Sequence, residues 1–154
     1  MNARTIVLSL VLCFVGVAVC SADDANMGTW TLNEAKSKLG PGAPKKSTVV
    51  YEAAGDKVKV TIDGTDKGGN PTHTEWTGKF DGKDYPVTGD PNSDVRSITK
   101  IDDRTLGFNV KKSGTVTTSG RIVVSADGKI RTVTTSGTDS KGNEVKSTAV
   151  YDKQ

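Results

Sequence analysis

The sequence is poor in the residues that carry reactive chemistry. Two of its 154 residues are cysteine, Cys13 and Cys20, and both stand within the first twenty positions. From Asp23 onward the chain therefore has no disulfide, no thiol nucleophile and no cysteine-based metal site. His73 is the only histidine, which removes any histidine pair for metal or acid–base work. Aromatic residues are 5% of the chain, too scattered for a base-stacking platform. An excess of one charge is missing too: the net is +3, and without Arg4, the one charge before Asp23, it is +2. Such a balance gives no reason to expect nucleic acid or an anionic membrane as a partner.

Long apolar runs are also lacking, with one exception. Ile6 to Val19 is broken only by Ser9 and Gly16 and follows a short polar start containing Arg4. At roughly fourteen residues it is shorter than the roughly 20 a membrane-crossing helix needs. It reads as a secretory signal peptide over residues 1–22, with Cys20 and Ala22 as the small residues before the cleavage point. The mature domain is then 23–154, secreted or periplasmic, with no stable membrane insertion of the mature chain. Lipid anchoring at Cys20 is the alternative, although Val19 stands where that signal wants a small residue.

What the chain has in abundance is alternation. Val58, Val60 and Ile62 share one face against Lys57, Lys59 and Thr61, and Leu106, Phe108 and Val110 share one against Thr105, Asn109 and Lys111. This period of two marks half-buried strands. Ten are expected: Gly28–Leu32, Ser47–Ala53, Lys57–Gly64, Thr72–Phe80, Lys83–Val87, Asp94–Ile101, Thr105–Lys112, Thr115–Ser125, Lys129–Thr138 and Glu144–Asp152. The breaks between the later strands, such as "AAGD", "DGK" and "ADG", have hairpin length, so successive strands are antiparallel neighbours. The fold class is all-β, an up-and-down meander of about ten strands that hides its edges by closing into a barrel. Asn33 to Lys46 differs, because Asn33 can cap one or two helical turns before "GPGAP" stops them.

One phrase occurs twice, as "GTDKGGN" from Gly64 and "GTDSKGN" from Gly137. Its Asp, Asn and Gly residues suit either a cation loop or a hairpin turn. The spacing does not fit a twelve-residue calcium loop, since Lys67 takes a ligand position and no Glu closes it. A matched pair of hairpins inside two related three-strand meanders accounts for every shared residue; if either loop held an ion, Asp66 and Asp139 would be its first contacts.

Roughly ten strands leave interior room unless large side chains fill it. In the later strands Thr118, Gly120, Thr132, Thr134, Ser136, Ser147 and Ala149 alternate in phase with Val116, Ile122, Ile130, Val145 and Tyr151, a face suited to a partly polar cavity. Arg121 and Arg131 fall on the opposite face from the apolar set of their strands.

"GTW" at Gly28–Trp30, a short helical connection and a closing "STAVYDKQ" together resemble the calycin superfamily of lipocalins and fatty-acid-binding proteins. The opening is also similar to small secreted bacterial proteins that begin "GTWxLNxxKS". The resemblance implies that Trp30 plugs one barrel end and that Tyr151 matches a carboxylate-binding tyrosine, whose expected arginine two residues earlier is Ala149 here; Arg121 and Arg131 are the candidates to replace it, although alternation places each opposite the apolar set of its strand.

These readings combine into an exported, non-enzymatic barrel for a small hydrophobic or amphipathic ligand, with Trp76, Phe80, Phe108 and Tyr151 as ligand-binding residues, Trp30 as a structural one, and no cofactor or metal. The alternative is a scaffold with a packed interior that recognises a protein or glycan through Glu34–Lys46 and Thr88–Ser93. An enzyme would rest on His73 beside Glu75 alone, and no second histidine or nucleophile elbow accompanies them.

Overall fold

The computed structural model describes residues 24–41, 43–139 and 141–154. The expected leader and Cys20 lie outside the described residues. Ten strands follow one another: β1 Gly28–Leu32, β2 Lys46–Ala54, β3 Lys57–Thr65, β4 Pro71–Gly78, β5 Asp81–Thr88, β6 Val95–Asp102, β7 Thr105–Lys112, β8 Thr115–Val124, β9 Ile130–Thr138 and β10 Glu144–Lys153. Each pairs antiparallel with its neighbour in sequence, and β1 also pairs with β10, so the sheet closes into a barrel. Closure removes the free edges that an open meander of this length would expose.

The helical connection is one 3-10 turn, Glu34–Lys36. The Asn33 side chain caps it by accepting from the Lys36 amide, and the same side chain donates to the Asp152 carboxylate at 2.6 Å. Beyond it Lys38 bridges to Thr148, so the connection runs along β10.

The core is the inward face of the wall. Trp30, Val49, Tyr51, Val60, Trp76, Ile98, Leu106, Ile122, Val124 and Tyr151 form one buried cluster. The pairing register carries the inward set around the barrel, for example from Tyr51 to Val60 to Trp76 to Val87. The weakest seam lies between β4 and β5, where only Glu75↔Thr88 and Trp76↔Val87 are in register. Trp76, Phe80 and Tyr85 pack over it, Phe80 parallel to Trp76 and Tyr85 edge-on.

Two face assignments differ from the alternation. Arg131 pairs with Val124 and Tyr151, and Val133 with Ile122 and Ala149, so β9 turns Arg131 and Val133 inward, not Ile130 and Thr132. At the start of β8, Val116 is 46% exposed although Ile122 in the same phase is buried. A register shift between Val110 and Lys111 precedes that pairing, and such a bulge puts residues on either side of it out of phase.

Candidate functional site

The large side chains expected to meet a ligand are distributed through the interior. Trp30 is fully buried, and its indole N–H donates to the Asn26 carbonyl at 2.8 Å, tying the segment before β1 to the core. Trp76 is 1% exposed and donates to the Arg96 carbonyl at 3.0 Å. Phe108 lies over Gly120, where an added Cβ would stand 2.5 Å from the ring, so the glycine admits the aromatic face. Tyr151 borders the cavity at the β9–β10 end of the barrel. Phe80 stacks on Trp76, and Trp76 shares the buried cluster with Tyr151.

That cavity has a volume of about 370 Å³ and lies beside the β9–β10 end of the barrel. Leu32, Val133, Ala149 and Tyr151 contribute apolar surface, while Thr135 and Ser147 add hydroxyl groups. Leu39, Gly40, Pro41, Ala43 and Pro44 form another side of its wall, and Asp139 also lines it. The long connection after the 3-10 turn is thus part of the cavity lining. Such a mixture of apolar surface and a few polar groups is typical of small-molecule pockets.

The other wall of Tyr151 faces a cation. Arg131 is 3% exposed; its guanidinium carbon lies 5.5 Å from the centre of the Tyr151 ring and 4.8 Å from that of Tyr51. Its Nη2 donates to the Tyr51 hydroxyl at 2.6 Å, but Nε and Nη1 are enclosed without an acceptor in the protein. Arg96 retains some exposure as a residue, yet its Nε is enclosed in the same way. Burial pushes its pKa down from the ordinary arginine value, with Tyr51 and Asp90 opposing that shift and Arg131 adding to it.

Magnitudes make this group unusual. Enclosing one unpaired ion costs several kcal/mol even after relaxation, whereas a desolvated cation over an aromatic face recovers about 2 kcal/mol. The tyrosine faces offset only part of the penalty. Sequence reasoning missed Tyr51 and Arg96 and put Arg131 on the outer face. The usable signal was Val133, two residues from Arg131 and therefore on its face.

The outer wall carries a different arrangement. His73 Nδ1 is 2.6 Å from Asp63 Oδ1, and its Nε2 is 3.5 Å from Glu75 Oε1. The same Glu75 oxygen meets Lys59 Nζ at 2.7 Å. Asp63 holds the histidine pKa above its ordinary value, and Lys59 holds that of Glu75 below. All four side chains are open to solvent, so this is a surface chain of charges and not an enclosed acid–base pair.

The repeated loops match each other. Asp66 accepts from the amides of Gly68 and Asn70, and Asp139 from those of Lys141 and Asn143. Each aspartate also receives the side-chain amide of the closing asparagine, Asn70 or Asn143. Gly69 and Gly142 both take φ +85°, a conformation that glycine adopts freely. These carboxylates are engaged by their own turns, the role expected of Asp in a hairpin.

No protein-family model matches the chain, and no curated protein sequence does. Among solved structures it is similar to the S-type phycobiliprotein lyase CPES from Guillardia theta, at 12% identity over 84% of this chain and 89% of that one, with a TM-score of 0.53. It is also similar to a de novo designed fluorescence-activating β-barrel (13% identity, 86% and 97% covered, TM-score 0.45). A redesigned barrel, mFAP1, bound to DFHBI gives 16% identity, 86% and 100% covered, and TM-score 0.45. Of these three the lyase alone exceeds a TM-score of 0.5, and at its level of identity the likeness concerns the fold only. The protein is thus a ten-strand antiparallel barrel with an end cavity.

Proposed function

We propose that the chain is an exported, non-enzymatic, calycin-like barrel that binds a small, partly apolar molecule in its interior. The observation that carries this reading is the cavity of about 370 Å³ bounded by Leu32, Val133, Ala149 and Tyr151. It lies in the size range of ligand sites, and apolar surface dominates its lining residues. The Ile6–Val19 run supports export. The exposed position of His73 supports a binding role over an enzymatic one, because general acid–base groups work best with a pKa tuned near the working pH in a site that holds substrate.

The test is native mass spectrometry of the exported protein, followed by thermal unfolding with a panel of small amphipathic molecules. Release of a bound molecule on denaturation, or a saturable rise of the midpoint with panel members, is the expected result. A protein that carries nothing, responds to nothing and instead captures a protein or glycan through Glu34–Lys46 would overturn it in favour of the loop scaffold.

A further inference from the structure

The exposed arginines and the exposed aliphatic side chains meet on one part of the outer wall. Of the four arginines after Asp23, Arg96 and Arg131 have enclosed nitrogens, while Arg104 and Arg121 are exposed. Neither exposed arginine enters an ion pair among the described residues, where the cations are lysines and His73. Ile101 is 50% exposed and Val123 42%, and both stand beside these arginines.

The pairing register fixes the arrangement. Val123 on β8 lies opposite Thr105 on β7, and Arg121 lies opposite Gly107. Ile101, near the end of β6, folds over Gly107, with its Cδ1 3.3 Å from where a Cβ would stand. The missing side chain thus lets β6 and β8 share one apolar strip. At one end of the strip the turn between β6 and β7 carries Asp102, Asp103 and Arg104; at the other end stands Arg121. Asp103 is fully open to water, and its ion-pair partner Lys100 is 3.8 Å away. A shallow groove bordered by Asp103, Arg104 and Val123 runs beside the strip. Aliphatic side chains exposed singly need no explanation, but these two adjoin and carry opposite charges at their two ends.

We infer that this face joins a second copy of the chain in a two-fold dimer. An axis through the strip sets Ile101 and Val123 of the two copies against each other and exchanges the ends, so Arg121 of each copy meets Asp103 of the other. The order of charges is its own complement. A partner of one charge sign would be attracted at one end and repelled at the other. Arginine also suits the place, because its planar fork pairs bidentately with a carboxylate and it is enriched at protein interfaces, where lysine is depleted. From β6 to β8 the face is about 10 Å wide at the usual strand spacing, which puts the contact at the small end of specific interfaces and makes it concentration-dependent. None of these residues lines the cavity beside β9 and β10, so the dimer and the small-molecule reading stand or fall separately.

Sedimentation equilibrium of the mature protein, from about 1 μM to about 1 mM, tests the inference. The average mass should climb from one chain toward two, and added salt should weaken the association because the charge pairs lie at an exposed rim. Val123→Asp should keep the protein monomeric throughout. Arg121→Asp and Asp103→Arg bring like charges together at both ends, and each should weaken association about tenfold or more. Combining Arg121→Asp with Asp103→Arg in one chain should restore it, a recovery that mere damage to the wall would not allow. Circular dichroism checks that each variant is folded. A wild-type chain that stays monomeric at the highest concentration would overturn the dimer; if Val123→Asp then releases a co-purifying protein or glycan, the face belongs to that foreign partner. A dimer unchanged by all three single substitutions would overturn this face as the contact. A combined variant as weak as either single one would overturn the two-fold pairing of Arg121 with Asp103.

Discussion

The inside and the outside of the barrel wall treat charge in opposite ways. At the surface lysines meet carboxylates, as in Lys59–Glu75 and Lys79–Asp56, both within 2.7 Å. In the interior Arg96 and Arg131 are enclosed without a carboxylate, whereas Arg104 and Arg121 are exposed. Exposed ion pairs contribute little to stability because solvent screens them and long side chains lose freedom. An enclosed, unpaired cation works against stability. The surface charges therefore serve solubility and local order, while the interior ones need a reason outside folding.

The largest expected effect sets two sequence neighbours on opposite faces of β4 against each other. Trp76 is enclosed against Phe80 and Tyr85, and Glu75 is half-buried on the outer face beside Lys59. Trp76→Ala should cost about 3–5 kcal/mol in chemical denaturation, the usual loss for truncating a buried large aromatic. Glu75→Gln should leave the midpoint within the scatter of ordinary surface substitutions. Comparable losses from both would show that the outer charge chain is part of what holds the barrel closed.

Next in size, and opposite in sign, is Arg131→Met. Replacing enclosed ionic groups by apolar side chains of similar volume is often neutral or stabilising by about 1–4 kcal/mol. The ligand-free variant should accordingly be as stable as the wild type or more stable, by up to about 4 kcal/mol in chemical denaturation. A loss beyond about 2 kcal/mol would mean that the hydrogen bond to Tyr51 and the two tyrosine faces outweigh desolvation. Arg131 would then be a structural residue, and the contrast between the two faces would collapse.

How far the sequence alone could go follows the same division. Strands were legible because Val, Ile, Phe and Trp alternate with Lys, Thr and Asp: Thr105–Lys112 was expected and found unchanged, and Glu144–Asp152 differs from the observed β10 by one residue. The short helical connection is the single 3-10 turn Glu34–Lys36, within the one or two turns expected from the Asn33 cap. Faces were legible only where strong apolar residues mark them. In β9 the sequence Ile-Arg-Thr-Val-Thr-Thr-Ser-Gly-Thr holds two such residues in opposite phase, Ile130 and Val133, separated by residues accepted on either face. Ile130 sits at the strand end, so its phase does not mark the inward face, and Val133 sets the phase that turns Arg131 inward. The site was harder still, because Arg131 and Tyr51 come from β9 and β2 and meet only through barrel closure. The cavity wall formed by Leu39 and Pro41 against β10 depends on the same long-range contact.

The smallest effect tests the outer face by pH. Asp63, followed by Glu75, raises the His73 pKa in the folded protein, so protonated His73 favours the folded state. The sign is fixed: this contribution is fully present below the ordinary histidine value of 6.5 and disappears as pH climbs through the raised folded value. Because His73 is the chain's only histidine, the window between neutral and mildly alkaline pH has little else to titrate besides the α-amino group. Denaturant midpoints of the wild type should fall slightly across that window, and those of His73→Gln should stay level. A wild-type midpoint that rises with pH there would mean that His73 is held neutral in the folded chain and that the surface network is wired the other way.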